Sequence, residues 1–352
     1  MQSACQVCGP RGGVSPEALF KCSRCQGVLY CGREHQTADF PNHKAICKRV
    51  KKFRDLMAEE EHKICNAEPD MFTPANAFET EVGLFWGVHS TRPYMRAKVE
   101  VIRTLSLMDA RPGTEAALAE AMGSLRLCRG DNVGIRELVP TRMLLLGQYQ
   151  EAYDDYDWGD MDLPYLDVHG ADMTEEIPER IYAVFFITCL THIKMTLANA
   201  VKDAITAHEL ADHASLPAGV TDSLGAFLAP NGQTRSLKEL KELHKKLTRQ
   251  TPEAFALAHS LNSHFWPVML DPFPLRAWSG NDRLSLAHLR TITLKNSQPW
   301  KAPLLLHLWA ALKLKTLLRE AVEAVVVAGQ VAVVVEDEEL RPGQLHHGAM
   351  MM

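Results

Sequence analysis

Eight potential ligands for a soft metal crowd residues 5–47: Cys5-x2-Cys8, Cys22-x2-Cys25, Cys31-x3-His35 and His43-x3-Cys47. Six of the nine cysteines of the 352-residue chain lie in this stretch. The pattern predicts a segment that folds because metal ions tie its sulfur and imidazole arms together. Eight ligands fill two tetrahedral sites and leave no open position for a substrate water, which makes the expected metal structural zinc.

The two kinds of spacing have different physical uses. A C-x2-C pair on a tight turn points both sulfurs at one metal, and Gly9 and Gly27 closely follow these pairs. An x3 spacing puts side chains one helical turn apart on one face, so Cys31/His35 and His43/Cys47 suit short helices. Spacing leaves the pairing open. If sequence neighbours share a metal, one site is all cysteine and the other Cys-His-His-Cys. If the pairs interleave, each site has three cysteines and one histidine, which spreads the charge more evenly. A disulfide framework would explain neither the histidines nor the absence of an apolar secretion signal at the start of the chain. The expectation is therefore an intracellular protein, with nucleus and cytoplasm not separable.

The pattern resembles a MYND-type zinc finger over Cys5–Cys47. Tyr30, Gln36, Asp39 and the His43-Lys44 pair stand where that family has them. Two positions depart from its commonest form: His35 replaces a more usual cysteine, and Phe40 stands where tryptophan is typical. The resemblance implies a cross-braced pair of zincs, with Cys5, Cys8, Cys31 and His35 at one and Cys22, Cys25, His43 and Cys47 at the other. It also implies a protein-interaction module, whose partner is a protein or a proline-containing peptide.

The residues give that implication a physical basis. Phe20–Cys22 and Val28–Tyr30 read as a small hairpin whose edge an extended peptide can join. Val28, Leu29, Gln36 and Phe40 are the expected peptide groove, against the alternative that the apolar three are simply the core between the zincs. Residues 1–55 carry ten Lys/Arg against four acids, while the whole chain carries a formal −5. Within Lys44–Arg54, Ile46, Val50, Phe53 and then Met57 recur on one helical face, so the basic residues read as its solvated side. No aromatic residues interleave for base stacking, and nucleic acid is not the expected direct ligand.

Beyond Pro69 the chain reads as helical, giving a mainly α fold: a double-zinc finger at 1–50, an all-α domain at 51–330 and a disordered acidic, low-complexity tail at 331–352. Stripes appear at Val101/Leu105/Met108, at Leu118/Ala121/Met122/Leu125, and at Ile135/Leu138/Val139/Leu146, the last broken at Pro140. Leu144–Tyr156 resembles the inter-helix turn of tetratricopeptide-type repeats, so stacked helical hairpins are one arrangement the pattern allows. No sustained 34-residue period supports an array. Ile181–Leu197 predicts a central buried helix, and Arg235–Arg249 a surface helix. Asn262–Leu275 reads as a proline-broken aromatic cap and Pro303–Ala328 as a last helix. "DNVGIRELVP", "LGQYQEAYD" and "FWPVMLDP" resemble the helical region that follows the finger in fungal MYND-finger proteins, and they carry no chemistry. The most apolar runs, Ile181–Thr191 and Val322–Val335, fall short of the ~20 residues that span a bilayer, so no membrane partner is expected.

No catalytic constellation emerges. His208 and His213 are five residues apart and miss the HExxH spacing. No G-x-S-x-G, P-loop or G-x-G-x-x-G is present. Cys65, Cys128 and Cys189 read as small buried apolar residues. Some MYND fingers are inserted into SET-domain lysine methyltransferases, but no Asn-His-x-Cys-x-Pro-Asn stretch follows this finger and no SET-type sequence precedes it. The chain is expected not to be an enzyme, the alternative being a cleft between Ile181–Leu197 and Asn262–Leu275. The expected role is a scaffold whose finger recruits a partner peptide, in a setting such as transcriptional or developmental regulation.

Overall fold

The computed structural model describes residues 2–70, 74–154, 172–177, 184–209, 227–228 and 235–261. The segments Asn262–Leu275 and Pro303–Ala328 and the tail at 331–352 lie outside the described residues, apart from which the expected mainly α architecture is found. Strands β1 (Phe20–Lys21) and β2 (Leu29–Tyr30) pair antiparallel, Phe20 opposite Tyr30 and Lys21 opposite Leu29. Helices follow at α1 (Arg33–Cys65), α2 (Ala77–Thr80), α3 (Arg92–Ser106), α4 (Arg111–Leu127), α5 (Val139–Leu146), α6 (Tyr149–Asp154), α7 (Val184–Glu209) and α8 (Leu237–Leu261).

The short helices expected around the ligands are one 33-residue helix, α1. Cys31 precedes it, and Gly32 in extended conformation (φ −165°, ψ 160°) is its N-cap. Cys31 and His35 are therefore not one helical turn apart on a shared helix. Pro41 lies inside α1 and removes one ladder hydrogen bond. The helix nevertheless continues, because the stripe of Ile46, Val50, Phe53 and Met57 runs past the ligands and packs along its length.

That stripe settles where the finger sits. Val50 joins Cys22, Cys25, Val28, Tyr30 and Cys47 in one apolar cluster with Val101 and Leu105 of α3, Met108 and Ala117. Ile46, Phe53 and Met57 pack against it. No linker separates finger from helical body, since α1 runs unbroken through position 50, where the sequence reading divides the chain. Gly113, in the first turn of α4, lies so close that an added Cβ would stand 3.0 Å from the Gly27 carbonyl oxygen and 2.9 Å from Met108 Cβ.

The main core lies in the body. Phe85, Met95 and Ile102 meet Leu125, Ile135 and Val139, and the cluster extends through Ile187 and Ile193 to Leu240, Leu247 and Phe255. Pro140 does not interrupt a helix; it opens α5 at a position where its missing N–H costs nothing. Gly147 (φ +84°) then turns the chain into α6, with Gln148 N–H on Met143 O at 2.9 Å and Gly147 N–H on Leu144 O at 3.1 Å, a Schellman closure. Lys241 near the start of α8 pairs with Glu209 at the end of α7, so these two helices run antiparallel. Cys128 and Cys189 are buried as expected, but Cys65 in the last turn of α1 is exposed. Among the described residues no helix is long and apolar enough to cross a membrane.

Candidate metal centre

Two knuckles of the same construction present the first four cysteines. Gly9 N–H bonds Cys5 O at 2.8 Å, and Gln26 N–H bonds Cys22 O at 2.9 Å. Each turn has a residue of positive φ directly after its second cysteine: Gly9 (φ +66°, ψ −172°) in one, Gln26 (φ +58°) in the other. Glycine fills that position without steric cost. Gln26 does so with its side chain turned back, Nε2 donating to Ser23 O at 3.1 Å. Gly27, which the sequence suggested as the turn glycine, serves a different need. A Cβ there would stand 2.2 Å from Met108 Sδ, so it is the close approach to the body that requires glycine.

The knuckles do not close on their sequence neighbours. The ligand atoms of Cys5, Cys8, Cys31 and His35 lie within 4.8 Å of one another, and so do those of Cys22, Cys25, His43 and Cys47. In the first group His35 Nδ1 is 3.1 Å from both Cys8 Sγ and Cys31 Sγ, and 3.6 Å from Cys5 Sγ. In the second, Cys25 Sγ is 3.4 Å from His43 Nε2, and the Cys22 and Cys47 sulfurs are 3.9 Å apart. Zn–S bonds of ~2.3 Å and Zn–N bonds of ~2.0 Å in a tetrahedron give edges of roughly 3.5–3.8 Å, and the measured separations of 3.1 to 3.9 Å lie within a few tenths of an ångström of them. They are far beyond the ~2.05 Å of a disulfide, and all nine cysteines are free.

The donor chemistry asks for a cation. Cys25 is pushed up to about 12, first by burial, with the neighbouring sulfurs of Cys22 and Cys47 adding to it. Cys8 is raised to about 11, first by its contact with the Cys31 sulfur. Cys8 and Cys25 thus hold their protons unless a positive charge replaces them. At Cys5 and Cys22 burial is outweighed by backbone hydrogen bonds, and the thiols shift down. A divalent soft metal supplies the charge that the full set of thiolates needs. Three cysteines and one histidine in each group fit two structural zinc ions. Burial lowers His43, so its imidazole is neutral, as a metal ligand must be.

Residues 5–47 match the sequence profile of the MYND finger. This stretch is a MYND finger. Such a finger is a zinc-binding, protein-interaction module without catalytic groups of its own. A 36-residue stretch is 47% identical to Rho GTPase-activating protein gacZ of Dictyostelium discoideum, over 10% of this chain and 4% of that protein. A 44-residue stretch is 41% identical to Egl nine homolog 1 of Homo sapiens, over 12% of this chain and 9% of that one. The chain thus spans less than a tenth of either relative's length. No solved structure matches.

Other residues also hold the MYND finger in place. Tyr30, fully buried, donates its hydroxyl to Asp39 Oδ2 at 2.7 Å, which ties β2 to α1. Arg54 donates to Cys25 O at 2.8 Å, so one member of the basic run faces the metal knuckle instead of solvent. Arg49 pairs with Glu100 of α3 at 3.1 Å. Tyr30 and Asp39 stand at MYND positions, but nothing local marks Arg54 or Arg49 off from the neighbouring lysines. Of the four expected groove residues, Val28 and Leu29 are buried, so their side chains belong to the finger's interior. Gln36 is half-buried, and Phe40 is 48% exposed.

Proposed function

We propose that the MYND finger of this chain recruits an extended, proline-containing peptide of a partner protein, with the helical body as the scaffold that carries it. The eight side chains of the two groups are the zinc ligands, and the zincs act by holding the recognition surface in shape. The observation that carries the reading is the exposure of Phe40 on α1, an apolar ring left at the surface of an interaction module. Gln36 lies one helical turn before it and offers both a donor and an acceptor.

The hairpin supplies the backbone partner. On its far side β2 is already taken, because Leu29 O accepts from Gln6 N–H at 2.8 Å. On β1, Cys22 N–H bonds Val28 O at 3.0 Å, so Cys22 and Phe20 occupy the hydrogen-bonded positions of the ladder. The amide and carbonyl of Lys21 therefore face away from β2, and Phe20 beside them is exposed. An extended peptide adding to β1 would meet this edge. Val28 and Leu29 then act from within, by shaping the hairpin.

A peptide array probed with the full chain tests the reading. Binding of proline-containing peptides that is lost in both Gln36→Ala and Phe40→Ala supports it. Peptides captured equally well by both variants would place recognition elsewhere.

A further inference from the structure

The polar side of α1 holds a shallow cleft with the second zinc knuckle, lined by Arg24, Lys48, Lys51, Lys52, Asp55, Leu56 and Glu59. Its charges are not balanced. Asp55 is held by Lys51 at 2.8 Å, and Glu59 by Lys63 at 2.8 Å. Both acids are thus paired from within the helix, Glu59 sharing Lys63 with Glu60 at 2.7 Å. Arg24, Lys48 and Lys52 are exposed and have no ion-pair partner among the described residues. A filled second metal site, with three thiolates, a neutral imidazole and Zn²⁺, carries a formal −1, too little to account for three unpaired cations. Leu56, 38% exposed, adds an apolar contact beside them.

We propose that this cleft binds an acidic peptide segment, in which Asp or Glu side chains flank an apolar residue. The carboxylates meet Arg24, Lys48 and Lys52, and the apolar residue meets Leu56. Nucleic acid fits less well. A phosphate backbone needs a continuing basic track, and here the track ends after Lys52 at Asp55, Glu59, Glu60 and Glu61. The proposal rests on the finger being an interaction module, but not on the surface at Gln36 and Phe40.

Fluorescence anisotropy of the full, zinc-loaded chain tests it at physiological ionic strength. The probe is a short labelled peptide of Asp and Glu around one Leu. Its comparators are the same peptide with Asn and Gln, and a random DNA duplex. The acidic peptide binds and the amide version does not. Lys48→Glu with Lys52→Glu weakens binding by about tenfold or more. Lys202→Glu with Lys238→Glu changes net charge equally, on exposed faces of α7 and α8, and shifts affinity by less than about twofold. All four lysines are exposed, so zinc content and circular dichroism stay as in the parent chain. Equal weakening by the two pairs would overturn the proposal by showing bulk charge alone. So would equal binding of the amide peptide, or tighter binding of the duplex. Phe40→Ala leaves the acidic peptide bound. If it abolishes only proline-peptide capture while the acidic peptide fails to bind the parent chain, the earlier reading stands and this one falls.

Discussion

Around the first metal group only Cys5 is buried, whereas Cys22, Cys25, His43 and Cys47 of the second are all buried. The difference comes from what lies behind each group. Three of the second group's cysteines belong to the apolar cluster that α1 and α3 share, and the first group has no such backing. Knuckles closed by the same backbone hydrogen bond, with the same donor types, thus sit in two mechanical settings. One tethers a short N-terminal segment to β2 and the start of α1. The other is part of the wall between finger and body. Zinc at the second position therefore acts on the helical body as well as on the finger.

The largest test of that contrast is to break each site in turn. Cys25→Ser removes a ligand and puts a polar hydroxyl at a fully buried place among Val28, Val50 and Leu105. It should lower the melting temperature of the whole chain by about 10 °C, since losing several kcal/mol moves a large domain by ~2–4 °C each. Cys8→Ser should release one zinc and leave the helical melting transition within about 3 °C of the parent. A zinc assay on each variant, with a thermal scan followed by circular dichroism, gives both readings. Equal shifts would show that the two groups are mechanically alike.

Chelator kinetics sharpen the comparison without mutation. The half-exposed first group should lose its zinc in a fast phase that leaves helicity unchanged, and the sealed second group in a slow phase that takes helix signal with it. Release in a single phase, with no helix change, would make the finger independent of the body.

Smaller still is the effect of filling the seam. Gly113→Ala places a Cβ 2.9 Å from Met108 Cβ, 3.0 Å from Gly27 O and 3.3 Å from Leu105 O. Two of these atoms are backbone and cannot swing aside, so about 1–3 kcal/mol is expected, with weaker zinc retention at the second group alone. Gly27→Ala would place a Cβ 2.2 Å from the Met108 sulfur, with Met108 Cε at 3.4 Å and Leu105 Cδ2 at 3.5 Å in ordinary contact. Met108→Ala should therefore relieve it, and the double variant should be more stable than the sum of the two single costs. Additive costs would mean that Met108 already moves away.

The sequence made the ligand set and the helical body legible, because sulfur pairs and apolar periodicity are local patterns. Ile46, Val50, Phe53 and Met57 were recognisable as one face for that reason. What the face packs against was not legible. Val101, Leu105 and Met108 formed an equally visible stripe, but no local rule joins two stripes on helices separated by residues 66–91. The ligand pairing has the same character. Spacing was neutral between neighbour and interleaved schemes, and the long-range closure of Cys31 and His35 on the first knuckle settles it. Val28 and Leu29 are both buried, and Val28 joins the apolar cluster that the finger shares with the body, a packing partner that no local pattern could name.

The smallest effect separates packing from charge as the means by which finger and body are joined. Arg54 and Arg49 both leave α1 to reach the other side of the seam, Arg54 to Cys25 O and Arg49 to Glu100. Arg54 satisfies a carbonyl on the buried knuckle, whereas the Arg49 pair is half open to water. Removing a charged donor from a sheltered carbonyl costs about 1–2 kcal/mol, and an exposed ion pair is worth little once solvent and salt screen it. Arg54→Ala should thus speed zinc loss from the second group severalfold. Arg49→Ala should leave it within the error of the chelator assay, at low and high salt alike. If Arg49→Ala instead matched Arg54→Ala at low salt and the effect vanished at high salt, the seam would be held by charge, and the apolar cluster would lose its place as the link between the second metal site and the body.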